Sequence, residues 1–85
     1  MNPVDKALRD RLARAEGQLR GVARMLEEGR GCEDVVTQLL AARSAIDRIA
    51  AEIVTAHIDE CLATLPPSEA RATVGRAIQI LGRLQ

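Results

Sequence analysis

Eighty-five residues suffice for one small domain, and with no Phe, Tyr or Trp its core has to come from Leu, Ile, Val, Ala and Met. A core that thin is marginal alone, and association between copies is a natural remedy. Twelve Lys and Arg balance twelve Asp and Glu, so net charge by itself gives no reason to expect nucleic acid.

The placement of charge says more than its sum. Residues 1–30 carry seven basic and five acidic side chains, 31–64 carry two and six, and 65–85 carry three and one. Basic ends flank an acidic centre, and a folded assembly can gather those ends on one face. The opening Asn2-Pro3-Val4-Asp5-Lys6 is polar and unlike a signal peptide. No apolar run approaches the roughly 18–20 residues of a membrane span. Two cysteines with a nearby histidine do not form a secreted disulfide framework. A cytoplasmic protein with reduced thiols and no membrane association is expected.

The first helix is expected over about 5–28. Leu8, Leu12, Ala15, Leu19, Val22 and Leu26 alternate spacings of four and three, a coiled-coil-like seam. Lys6, Arg9, Arg11, Arg14, Arg20 and Arg24 mark its polar side, by default a solvated face with helix-spaced partners such as Glu16–Arg20. Asp5 suits the N-terminal dipole. Gly29-Arg30-Gly31 stops the helix, with Gly29 suited to the left-handed cap position.

A second helix is expected over 33–64, about 45 Å long at the standard rise. One stripe reads Val35, Leu39, Ala42, Ile46, Ile49, Ile53 and Ala56; a second runs through Val36, Leu40, Val54, Ile58 and Leu62. Two apolar faces call for burial on two sides, which makes this helix the central one. Pro66-Pro67 ends it. Ser68 is a plausible N-cap for a third helix over 68–84, with Val74, Ala77, Ile78, Leu81 and Leu84 on its buried side. There is no strand-like alternation and no repeat. The fold class is all-α, three helices in one domain spanning 1–85.

Cys32, Cys61 and His57 are the only cysteines and the only histidine. On a helix His57 and Cys61, four apart, share a face and can grip one atom. Cys32 lies 25 residues before His57, roughly 37 Å along a straight helix and out of reach within the chain. It reaches the same pair on another copy if the two copies lie antiparallel. The midpoint then falls near residues 45 and 46, beside Ala41-Ala42-Arg43-Ser44-Ala45, whose small side chains allow close approach at a two-fold axis. Two thiolates and one imidazole make a soft, low-coordinate set that suits Cu(I); Zn(II) usually wants a fourth ligand, and Ni(II) in a square N/S set needs an extra donor. The same sulfurs, if adjacent, are also open to oxidation or bridging by sulfur. The plainer alternative is that both cysteines are small buried hydrophobes and the histidine a hydrogen-bonded core or surface residue.

Three segments carry a resemblance. Arg14-Ala15-Glu16-Gly17-Gln18-Leu19-Arg20-Gly21-Val22, then Arg24-Met25-Leu26-Glu27-Glu28, then Cys32-Glu33-Asp34-Val35-Val36-Thr37-Gln38, with His57-x-x-x-Cys61 following, closely resemble the CsoR/RcnR/FrmR family of small bacterial transcriptional repressors. The likeness runs from about residue 8 to the end. It implies three helices per chain, an antiparallel four-helix-bundle dimer and a dimer of dimers. It also implies a repressor that binds operator DNA when ligand-free and releases it on binding an inducer. The family has copper, nickel/cobalt, formaldehyde and persulfide responders. Carried over to this chain, the copper-type ligands are Cys32 of one subunit with His57 and Cys61 of the other. Cys61 separates the chain from the formaldehyde and nickel/cobalt types. The family's basic contacts to DNA correspond to Arg11 and Arg48, with Arg14 and Gln18 near the same surface.

Two positions depart from the copper pattern. Gly31 stands where that group tends to have a tyrosine, and Thr73-Val74-Gly75-Arg76-Ala77 lacks the acid it uses on the third helix. The segment Met25–Val35 also looks like that of the persulfide responders, which places a reactive-sulfur sensor using Cys32 and Cys61 second. Alternatives of another class are an enzyme or a metal carrier using the same triad, or a plain structural bundle. Nothing in the sequence supplies an orienting acid for a Cys-His nucleophile.

Overall fold

Capping residues and two short breaks divide the chain into helices. The computed structural model describes residues 5–84, so Asn2, Pro3, Val4 and the last residue of the expected 1–85 domain lie outside the described residues. Three helices follow in order: α1 (Lys6–Glu27), α2 (Cys32–Thr64) and α3 (Pro67–Leu81). Among the described residues there is no strand.

Asp5 does more than suit a dipole. It is the N-cap of α1, and its carboxylate accepts the Leu8 backbone N–H at 2.8 Å, satisfying one of the donors that a helix start leaves open. At the other end Gly29 takes φ 71°, the left-handed conformation a Cβ would oppose. The Gly29 N–H donates to Leu26 O and the Arg30 N–H to Met25 O, the paired bonds of a Schellman stop. The chain therefore turns within four residues, and α2 opens at Cys32, with the Val35 N–H donating to Gly31 O.

The third helix starts earlier than expected. Pro67 is its first residue, Pro66 its N-cap, and Ser68 sits inside the first turn. Proline is tolerated there because its fixed φ is already helical and its missing N–H would be unpaired anyway. The regular helix ends at Leu81 and not at 84, with Gly82 as C-cap and a tighter turn beyond it.

Two compact units divide the described chain. One comprises 5–49, α1 with the first part of α2; the other comprises 50–84, the rest of α2 with α3. In the first, burial recurs every seven residues on both arms: Leu8, Ala15 and Val22 on α1, and Val35, Ala42 and Ile49 on α2. Val22 and Val35, Ala15 and Ala42, Leu8 and Ile49 stand at equal distances from the centre of the turn, as an antiparallel hairpin requires. The intervening seam residues, Leu12, Leu19 and Leu26, remain exposed. The second unit repeats the scheme: Val54 and Cys61 on α2, Ala70 and Ala77 on α3, again matched about their turn. Among the described residues no large side chain is fully buried, so a single chain packs thinly.

Candidate functional site

The thiol and imidazole of α2 come together as their spacing predicts. One turn apart within the second unit, Cys61 Sγ lies 3.8 Å from His57 Nε2 and 4.0 Å from its Nδ1. Cys61 is buried and His57 half-buried. A sulfur at ~2.3 Å and an imidazole nitrogen at ~2.0–2.1 Å from one ion lie about 3.8 Å apart when the angle at the ion is 120°. The same bond lengths give about 3.6 Å at a tetrahedral angle and about 3.1 Å at a right angle. At 3.8 Å from Nε2 and 4.0 Å from Nδ1, the Cys61 sulfur and the His57 imidazole stand close enough to share one ion.

The pair is two donors, not a complete site. Cys32 is exposed at the first residue of α2, beside Arg30, which approaches Glu28 and Asp34 at 3.9 Å each. Among the described residues no three His, Cys, Asp or Glu side chains gather to hold a metal ion within one chain. The structure thus joins His57 to Cys61 and does not bring Cys32 to them.

The basic residues form a second feature, wholly within the first unit. Arg11, Arg14 and Gln18 of α1 and Arg48 of α2 line one cavity of about 350 Å³. Its remaining walls are Ala15, Ala45 and Ile49. The four polar members are the residues the resemblance points to, and the apolar floor is not among them; its cue in the sequence is Ala15 and Ile49, both seam positions beside an arginine. The expected Glu16–Arg20 pair does not form. Helix-spaced ion pairs include Lys6–Asp10 at 3.0 Å and Arg30–Asp34 and Arg43–Asp47 at 3.9 Å, exposed apart from the half-buried Asp47 and individually worth a few tenths of a kcal/mol.

A paired thiol and imidazole on the long middle helix of three, with clustered arginines on the hairpin, is the arrangement expected of the small repressors. Comparison with known families agrees: residues 4–83 match the metal-sensitive transcriptional repressor family. The chain belongs to this family. Metal-sensitive repressors regulate transcription and are not enzymes, which removes the Cys-His nucleophile reading. The copper-sensing transcriptional repressor RicR of Mycobacterium tuberculosis is 46% identical over 52 residues, 61% of this chain and 54% of that protein. The copper-sensing repressor CsoR of Bacillus subtilis is 37% identical over 54 residues, 64% of this chain and 54% of its own length. The chain therefore spans about half the length of these relatives. Among solved structures of the family, the nickel-responsive transcriptional regulator InrS superposes with a TM-score of 0.82 at 33% identity, covering 95% of this chain and 96% of that one. No helix among the described residues is long and apolar enough to cross a membrane.

Proposed function

We propose that this chain is a cytoplasmic operator-binding repressor that lets go of DNA when Cu(I) binds Cys32 of one protomer together with His57 and Cys61 of its partner. The observation that carries the reading is the 3.8 Å separation of Cys61 Sγ and His57 Nε2 on one turn of α2. It leaves two soft donors side by side and open to a further thiolate, which Cys32 of an antiparallel copy would supply. Cys32, His57 and Cys61 are the residues that would hold the ion, and a bound ion would supply a link between two protomers.

An antiparallel dimer also accounts for the apolar surface one chain leaves bare. Leu12, Leu19 and Leu26 of α1 and Leu39, Leu40 and Ile46 of α2 are all more than two-fifths exposed. They are the surface an antiparallel four-helix-bundle dimer would bury, and dimers pairing into a tetramer would bury more. Arg11, Arg14, Gln18 and Arg48 then supply phosphate contacts from several protomers at once, with affinity falling steeply as salt rises. The whole described chain works as one repressor domain.

Persulfide sensing has its own support. The exposed Cys32 thiol, preceded by Gly31, is open to a small persulfide. Its thiolate takes the sulfane sulfur and releases the donor's thiol; Cys61 of the partner subunit then displaces hydrosulfide and closes a disulfide. Operator binding titrated in parallel with Cu(I), Ni(II) and a persulfide donor separates these inducers. Cu(I) is expected to release DNA from the wild type and not from His57→Ala. Release by the sulfur donor alone, with His57→Ala behaving as wild type, would remove copper; release by Ni(II) alone would align the chain with the nickel-responsive relative.

A further inference from the structure

The arginine cavity has a shape that contact with a duplex does not require. At about 350 Å³ it falls within the range of small-ligand pockets, ~300–1,000 Å³. Its floor is apolar: Ala15 and Ile49 are buried, Ala45 half-buried. Arg11 is half-buried at the wall. Among the described residues neither Arg14 nor Arg48 has an ion-pair partner, and Asp47, the acid next to Arg48 in the chain, is engaged by Arg43 at 3.9 Å. The exposed guanidiniums of Arg14 and Arg48 therefore line a concavity with the Gln18 amide beside them, and Arg11, itself already engaged, forms part of the wall.

We propose that this cavity is a receptor for a free diphosphate group, and that its occupation competes with operator DNA. The binding stands on the cavity alone; the competition rests on the operator-binding reading above. A backbone phosphodiester carries one charge and is tethered on both sides, so it meets the rim. A terminal phosphate carries about −1.5 to −2 at pH 7, presents three acceptor oxygens and is free on one side, so it can enter. Guanidinium forks bind such oxygens in pairs, which a single lysine-like point charge does not. A diphosphate places two such groups against the guanidiniums of Arg14 and Arg48, a closer match in charge than one diester.

Calorimetry on the full, reduced, metal-free chain tests this, with sodium pyrophosphate as titrant and ionic strength held constant by chloride. Adenosine diphosphate carries the same group and is expected to compete with pyrophosphate. Saturable binding of one pyrophosphate per chain is expected, weakened about tenfold or more in Arg14→Gln and in Arg48→Gln, as loss of a charge-assisted hydrogen bond implies. Unchanged helical circular dichroism of the variants excludes unfolding as the cause. Heat that follows ionic strength only, sulfate binding as tightly as pyrophosphate, or variants binding like the wild type would each overturn the proposal. A labelled duplex from the DNA upstream of the protein's own coding sequence separates the two readings. If the duplex binds and pyrophosphate shifts it no more than matched chloride, the competition is overturned and the operator reading stands. If pyrophosphate binds and no duplex does, the operator reading fails and the receptor stands.

Discussion

Asp5 shows how much one side chain decides about where a helix begins. The first turn of α1 contains no acid of its own, so Asp5 supplies both the hydrogen bond to Leu8 N–H and a negative charge at the helix start. Asp5→Ala should cost about 1 kcal/mol of stability in urea denaturation, within the ~0.5–2 kcal/mol usual for a lost cap. Asp5→Asn keeps an acceptor and forfeits only the interaction with the dipole, so it should retain most of that stability. Equal losses in the two variants would mean that charge, not capping, holds this end. His57 and Cys61 illustrate the opposite limit of a residue's reach. Their meeting follows from helical spacing alone, but which third donor completes the pair does not, because no other cysteine or histidine stands within a turn of either.

At the level of the element, the α1–α2 hairpin depends on its four-residue turn. Gly29 holds φ 71°, and although nothing lies within 4 Å of where its Cβ would be, an L side chain there is strained by its own backbone. Gly29→Ala should therefore destabilise by about 1–2 kcal/mol. In a domain of this size that corresponds to a melting temperature lowered by roughly 4–8 °C per kcal/mol, read at a fixed protein concentration. Gly31→Ala, at a position with open space and no positive φ, serves as the control and should change little. If the two alanines behave alike, the turn tolerates a right-handed path and the matched heptads on either side are not held by it.

For the whole molecule, the decisive feature is the apolar surface that one chain does not cover. The α1 seam is half satisfied within its own hairpin, where Leu8, Ala15 and Val22 are buried, and half bare at Leu12, Leu19 and Leu26. Single scattered leucines on a surface need no explanation, but a row of them at heptad spacing does. Leu19→Glu and Leu39→Glu should each shift the protein toward monomer in sedimentation velocity, and the same variants should lose stoichiometric Cu(I) binding, since Cys32 would no longer meet the pair. A monomeric variant that still held Cu(I) through Cys32, His57 and Cys61 would place the site within one chain and end the shared-site proposal.

Much of this was legible in the order of residues. Seam spacing, the Gly29 stop and the diproline break mark three helices, because each acts through backbone preferences within a few positions. The same local rule pairs His57 with Cys61. It failed by a residue at the start of α3, where a proline-friendly first turn outcompeted Ser68 as cap. Burial was less legible: Leu8 and Leu12 read alike in a periodic pattern, yet Leu8 is enclosed and Leu12 is half exposed. Only the packing of α1 against the start of α2 decides which half of a seam faces inward. That packing also turns four polar residues, three on one helix and one far along the next, into one cavity with an apolar floor. Local geometry is set by bonds between near neighbours, so sequence alone determines it; enclosure is set by residues distant in sequence, so only the tertiary structure could decide it.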